Sequence, residues 1–194
     1  LVADDRWQEL VEGKGRDARE AFLPAFLQQR RWFAMKGEIK SVRIRELIAL
    51  PHNSEQHFLA TVLAEYAQSE PEEYLLPLAF ASGAAAERLE HETPGFVFAR
   101  ARVERANANG VIYDAAAGTD FGKMLFEVIA RRRTLKSEHD EGALVGSTNS
   151  ALRGAVPEPS AARTEERNTV ITYGDKYILK LFRRLESGVH PALE

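Results

Sequence analysis

Five successive segments of the chain alternate apolar and polar residues, and this pattern limits the possible folds more than any other feature. The segments cover residues 41–50, 57–66, 74–81, 96–103 and 110–115. Alternation is typical of strands with one buried face, because successive side chains of a strand point to opposite faces. Turn residues such as Pro51-His52-Asn53-Ser54 separate the segments. The sequence therefore predicts an antiparallel sheet, with a hairpin turn at Asn109-Gly110, where both residues tolerate positive φ.

Helical periodicity flanks this predicted sheet on both sides. A helix over residues 17–31 would place Leu23, Phe26 and Leu27 on one apolar stripe. A longer helix is predicted over residues 119–136, capped by Thr119 or Asp120 at its start. A sheet with packed helices is an α+β fold.

The C-terminal third of the chain has a different character. Residues 138–163 lose periodicity and are rich in Gly, Ser, Ala and Pro, which is typical of a linker. Two β-rich runs then surround Gly174-Asp175 and predict a hairpin, which is only marginally stable by itself. We therefore predict a domain over residues 1–140, a linker over 141–163, and the beginning of a second domain over 164–194.

Composition excludes several classes of function. The 194 residues carry a net charge of −3, which does not indicate a nucleic-acid surface, and they contain no cysteine for disulfides or thiolate metal sites. We see no apolar run long enough to span a membrane and no signal peptide, so we expect no membrane partner and a cytoplasmic location.

Two stretches are more specific than composition. The first reads Gln-Arg-Arg-Trp-Phe-Ala-Met-Lys-Gly over residues 29–37. The second, over residues 168–186, contains a hairpin and the strand Leu-Lys-Leu-Phe-Arg-Arg, and is followed by Pro191-Ala192-Leu193-Glu194. In this order the two stretches resemble bacterial maltokinases, in which a cap domain precedes the ATP-binding lobe of a kinase.

The resemblance implies a maltokinase-like cap domain followed by an incomplete kinase-like N-lobe hairpin. It implies a parent enzyme that uses ATP and Mg²⁺ to phosphorylate the 1-hydroxyl of maltose, with the rest of the kinase lobe as a partner of this fragment. In many bacteria such a kinase is fused to a trehalose synthase. No His-x-Asp catalytic loop occurs in the 194 residues, so we expect the fragment alone to be inactive.

The resemblance also suggests cofactor-binding residues. Lys180 stands where a strand lysine contacts the nucleotide phosphates, and Glu194 where a helix glutamate holds that lysine. Asn168 and Thr169 match part of the loop over the phosphates. From pattern alone, a solvated lysine is the favoured interpretation of Lys180. Glu194 can equally be a surface residue, and the Asn-Thr pair can equally be a plain strand start.

Other features favour a structural interpretation. Asp120-Phe121-Gly122 resembles a kinase magnesium motif but precedes the strand lysine, so we interpret it as a helix cap and a core residue. Trp32 and Phe33 are predicted to form an interdomain plug rather than a platform for sugar stacking. A second hypothesis remains, that of a non-catalytic β-rich module which binds carbohydrate or contacts a subunit of an α-glucan enzyme.

Overall fold

The computed structural model describes residues 1–12, 22–34, 36–50, 56–137, 142–148, 152, 157–160, 162–165 and 167–188. The helices of these residues are α1 (Glu9–Glu12), α2 (Leu23–Gln28), α3 (Gly83–Glu92) and α4 (Thr119–Ala130). The longer strands are β2 (Ile39–Leu50), β3 (His57–Tyr66), β4 (Glu72–Ser82), β5 (Val97–Val103), β6 (Ala108–Asp114), β10 (Asn168–Tyr173) and β11 (Tyr177–Phe182). The shorter strands are β1 (Val2–Ala3), β7 (Thr134–Lys136), β8 (Ala143–Val145), β9 (Arg163–Thr164) and β12 (Arg184–Leu185).

The main sheet confirms the predicted α+β fold. Its strands follow the order β1-β5-β6-β4-β3-β2, and β12 pairs with the start of β4. All of these pairs are antiparallel except that of β1 with β5, so the sheet is mixed. All five alternating segments form strands, β2 to β6. None of the helices in the described residues is long and apolar enough to cross a membrane.

Two hydrophobic cores lie against this sheet. The first core contains the stripe predicted for α2, with Leu23, Phe26 and Leu27 buried together with residues of β2, β3 and β4. The second core joins α4 to the hairpin of β10 and β11, and includes Phe121, Ile171 and Leu181. The hairpin therefore packs on the rest of the chain, which offsets its marginal intrinsic stability.

The predicted turn at Asn109-Gly110 is wrong. The chain turns over residues 104–107, and Asn107 adopts the positive φ of 46°. Gly110 lies inside β6, where it pairs with Ala101 on one side and Ser82 on the other. A Cβ at position 110 would overlap the carbonyl oxygen of Ala81. This glycine is therefore needed for close backbone approach and not for a turn.

The predicted helices also need correction. Helix α4 ends at Ala130 rather than continuing to residue 136, because Arg132 takes a positive φ of 49° and the Arg133 amide donates back to Val128. Residues 134–136 then form β7. Gly118, and neither Thr119 nor Asp120, occupies the N-cap of α4, and no side chain caps it.

Helix α2 is shorter than predicted within the described residues, since it covers Leu23–Gln28 and ends before Arg30 and Arg31. Helix α3 was not predicted, although its run of Ala84, Ala85 and Ala86 consists of the best helix formers. The hairpin prediction is confirmed, with Gly174 at a φ of 57° in the turn. The proposed domain boundaries remain a prediction.

Candidate functional site

The two motifs of the sequence meet in space on strand β4. Trp32 of the first motif lies over Arg183 of the second, with the guanidinium carbon 5.0 Å from the ring centroid. Lys36 of the first motif and Arg184 of the second contact the same carboxylate, that of Glu72 at the start of β4. We call this arrangement the motif junction and divide it into the Arg183 cluster and the Glu72 cluster.

The Arg183 cluster consists of Arg183, Asp114, Thr169, Trp32 and the carbonyl of Leu75. The Arg183 guanidinium forms an ion pair with the Asp114 carboxylate, with 2.9 Å between Nη2 and Oδ2. Nε donates to the Thr169 hydroxyl at 2.8 Å, and Nη1 donates to the Leu75 carbonyl at 3.4 Å. Arg183 is 0% exposed, and Asp114 is 2% exposed. Burial of both charges is tolerated because each has a partner of opposite sign.

Local backbone structure explains why a strand arginine points inward. In the hairpin, Leu181 is buried and pairs with Thr169. Because side chains of a strand alternate between its two faces, Arg183 lies on the same buried face as Leu181, two residues earlier. The Arg183 carbonyl accepts a hydrogen bond of 2.7 Å from the Leu75 amide as the chain passes into β12. Asp114 is fixed at the end of β6, where its other oxygen accepts from the Ala116 amide at 3.1 Å.

The Glu72 cluster consists of Glu72, Lys36, Arg184, Tyr66 and Tyr74. One carboxylate oxygen of Glu72 lies 2.8 Å from Lys36 Nζ and 3.0 Å from Arg184 Nε. The other oxygen accepts hydrogen bonds from the hydroxyls of Tyr74 at 2.6 Å and Tyr66 at 3.3 Å. A single buried carboxylate thus connects both motifs to the main sheet.

Electrostatics within the Glu72 cluster favour the ionised carboxylate. Burial raises the pKa of Glu72, but hydrogen bonds from Lys36 and Tyr74 and the charge of Arg184 outweigh it, so this pKa lies below its ordinary value. Burial, and then the hydrogen bond to Glu72, raises the pKa of Tyr74 far above its usual range. The Tyr74 hydroxyl therefore stays protonated and remains a hydrogen-bond donor.

The aromatic pair of the first motif lies inside the protein. Trp32 and Phe33 are both buried, and their ring centroids lie 6.0 Å and 4.8 Å from that of Tyr74. A platform for stacking a sugar needs an exposed ring face, which neither residue offers. Their contacts to β4 and to Arg183 are those of a plug between the sheet and the C-terminal hairpin.

The predicted cofactor residues divide between the two faces of the hairpin. Lys180 is exposed and pairs with Val170, and half-buried Asn168 lies on the same face two residues along β10. Thr169 lies on the opposite, buried face, where its hydroxyl is bonded to Arg183. Glu194 lies outside the described residues. The hairpin thus brings Lys180 and Asn168 onto one surface and directs Thr169 to the motif junction.

The residues resembling a magnesium motif have structural contacts. Phe121 is fully buried in the second core, and the Gly122 carbonyl accepts a hydrogen bond of 2.7 Å from the Tyr173 hydroxyl. Among the described residues, no group of three or more histidines, cysteines or carboxylates could hold a metal ion. The charged run His139-Asp140-Glu141 lies outside those residues.

Sequence reasoning overlooked the buried charges of the junction. For Arg183 a local signal exists, since strand alternation from Leu181 assigns it to the buried face. For Asp114 and Glu72 the sequence offers no such signal, because their partners lie far away in the chain. Only the assembled sheet identifies them as members of one site.

A comparison with protein-family models supports the resemblance suggested by the motifs. Residues 26–118 match the maltokinase N-terminal cap domain. This segment includes Trp32, Lys36, Glu72 and Asp114, whereas Arg183 and the hairpin follow it. The cap side of the motif junction therefore lies within the match, and the match supports a maltokinase-related N-terminal region in this chain.

Proposed function

We propose that this chain is the N-terminal part of an ATP-dependent maltokinase, which transfers the γ-phosphate of ATP to the 1-hydroxyl of maltose. The observation that carries the proposal is the motif junction, in which Trp32 and Asp114 contact Arg183 and Glu72 contacts Arg184, both arginines following Lys180 in the chain.

In this proposal the cap domain positions the nucleotide-binding strand. Lys180 lies on the outer face of β11, and three residues later Arg183 is fixed from the inner face by Asp114, Thr169 and Leu75. Because the two side chains belong to one short stretch of backbone, fixing the arginine restricts the position of the lysine. A strand that is already fixed presents its lysine to phosphate without a further loss of backbone entropy.

The described residues fit one part of an ATP site. Lys180 offers an exposed amine with the reach to contact phosphate oxygens, and Asn168 offers an amide on the same face. ATP would supply the phosphoryl group and Mg²⁺ would neutralise its charge. The residues that orient the acceptor hydroxyl and hold magnesium would come from the remaining kinase lobe, so we predict that the 194 residues alone have no kinase activity.

The test is the Lys180→Met substitution in the enzyme that includes the catalytic lobe. We expect kcat for maltose phosphorylation to fall by orders of magnitude, with circular dichroism unchanged, because the phosphate contact is lost while the exposed position tolerates methionine. Lys176→Met, in the exposed hairpin turn, is the matched control and should retain normal turnover. Near-normal activity of Lys180→Met would refute the proposed role.

The alternative of a carbohydrate-binding module rests on a different surface. A cleft of about 600 Å³ lies beside Phe80 and Tyr113, with Gln8, Gln56 and Arg88 among its polar residues. Calorimetric titration of the chain with maltose in the absence of ATP distinguishes the two proposals. Millimolar or tighter binding that Arg88→Ala abolishes would favour the module, whereas absence of heat favours the cap of a kinase.

The biological context is part of the same proposal. We place the parent enzyme in the cytoplasm, where ATP is available, and infer that a trehalose synthase supplies its maltose, either as a fused domain or as a separate protein. Reading the gene on both sides of these residues tests this. A kinase catalytic loop downstream supports the assignment, and unrelated downstream sequence would overturn it.

A further inference from the structure

A second cavity, next to the motif junction, has an unusual concentration of arginine. It has a volume of about 240 Å³, and its wall includes Arg30, Arg31, Trp32, Asp114 and Thr164. The volume lies just below the range of about 300–1,000 Å³ that is typical of pockets for drug-sized ligands. The cavity therefore has room for a small ion or for one terminal group of a larger molecule.

The charges around this cavity do not balance. Arg30 and Arg31 line it, and Arg183 lies directly behind its Trp32 wall, whereas Asp114 is the one carboxylate of the lining. Among the described residues, neither Arg30 nor Arg31 has a carboxylate within ion-pair distance. Asp114 is already paired with Arg183. The described part of the site thus carries an excess of two positive charges, which matches a phosphate dianion.

The Arg30 side chain is oriented by its neighbours. Arg30 Nε donates to the Phe26 carbonyl at 3.2 Å and Nη2 donates to the Gln29 side chain at 3.3 Å, while the guanidinium lies 4.5 Å from the centroid of the Phe26 ring. These contacts fix its plane, and Nη1 lies beside Gly95, 3.5 Å from the position that a Cβ would occupy there. Arg31 is exposed, and its guanidinium supplies further N–H donors.

The neighbouring charges also affect Arg30. Arg183 is fully buried behind the cavity wall, and Asp114, the carboxylate of the lining, already pairs with it. Burial lowers the pKa of Arg30, and the charge of Arg183 lowers it further although Asp114 acts in the opposite direction. Guanidinium groups crowded in this way gain from a bound anion, and their planar forks match phosphate oxygens.

We propose that this cavity is a binding site for a phosphoryl group, contacted by Arg30, Arg31 and the Thr164 hydroxyl. It is separate from the nucleotide site proposed above, because its Asp114 and Trp32 wall contacts Arg183, which bonds the inward-facing Thr169, whereas Lys180 lies on the outer face of the hairpin. The ligand is free phosphate or a phosphate monoester. Its occupancy would reinforce the motif junction from the side of the first motif.

The test is calorimetric titration of the 194-residue chain at constant ionic strength, set with chloride. Inorganic phosphate and a phosphate monoester, glucose 1-phosphate, are titrated separately. Saturable binding of either compound supports the site, and the compound that binds with the lower Kd identifies the source of the phosphoryl group.

A second measurement uses NMR. Two indole N–H signals are expected in the spectrum, because the chain has two tryptophans. The signal of Trp32, assigned with a Trp7→Phe variant, should shift on binding.

Variants separate this site from the proposed nucleotide site. Arg31→Gln should weaken phosphate binding about tenfold or more, because a charge-assisted contact is lost at an exposed position that the fold does not need. Arg102→Gln, at an exposed arginine of β5, is the matched control and should bind normally. Lys180→Met should also leave the affinity unchanged. Absence of saturable binding up to tens of millimolar, or equal binding by Arg31→Gln, would overturn the inference.

Discussion

The buried ion pair of Arg183 and Asp114 should couple the cap domain to the hairpin, and Asp114→Ala tests this coupling. The substitution leaves a fully buried guanidinium without its carboxylate, with the Thr169 hydroxyl and the Leu75 carbonyl as its remaining polar partners. Removing one member of a buried pair typically costs about 3–5 kcal/mol. We expect the free energy of unfolding to fall by about that amount.

A double-mutant cycle separates the ion pair from the packing around it. Arg183→Met keeps most of the apolar stem but leaves the buried Asp114 carboxylate without its ion-pair partner, so it should also cost about 3–5 kcal/mol. The double variant Asp114→Ala, Arg183→Met contains neither buried charge. It should therefore be more stable than the sum of the single effects predicts, with a coupling energy of about 1–3 kcal/mol.

The assay is urea unfolding of the chain, followed by circular dichroism and by tryptophan fluorescence. Equal slopes against urea in all variants would show that the same surface is exposed on unfolding. Arg102→Met is the control, since an exposed arginine should change stability by no more than about 0.5 kcal/mol. If Asp114→Ala lost less than about 1 kcal/mol, or if the cycle showed no coupling, the reasoning about the buried pair would be wrong.

Two further perturbations follow from the fold and the junction. Because the pKa of Glu72 is lowered in the folded protein, its contribution to stability is present above its unfolded pKa of about 4.3 and is lost as the pH falls through the folded value. Urea midpoints between pH 6 and pH 3 should therefore fall more steeply for the natural chain than for Glu72→Gln, and parallel profiles would contradict this. Gly110→Ala should cost about 1–3 kcal/mol, because its Cβ overlaps the Ala81 carbonyl. Gly95→Ala, which meets only an ordinary contact, should change the thermal midpoint little, and equal losses in both variants would count against the steric explanation.

Local pattern predicted much of the fold. Alternation located β2 to β6, and the turn residues around Gly174 located the hairpin of β10 and β11. These features are readable because a strand with one buried face repeats every two residues whatever its neighbours are. The helix boundaries were less accurate, since the end of α4 depends on the positive φ of Arg132 and not on apolar periodicity.

Gly110 shows where local pattern misleads. An Asn-Gly step is the strongest short signal for a hairpin turn, yet here it lies in a strand. The reason is the approach of Ala81 on the neighbouring strand, which excludes a side chain at that position. This contact between Gly110 and Ala81 depends on the order of strands in the sheet, so a short stretch of sequence cannot predict it.

The sequence by itself determined the strand faces, the hairpin and the two motifs on which the resemblance to maltokinases rests. Tertiary structure alone decided that Arg183 is buried against Asp114 and that Lys36 and Arg184 share Glu72. The physical reason is that periodicity is a property of neighbouring residues, whereas a charge can be buried only where distant segments supply its partner. The candidate site therefore forms only when the chain folds and brings together two motifs that are separate in the sequence.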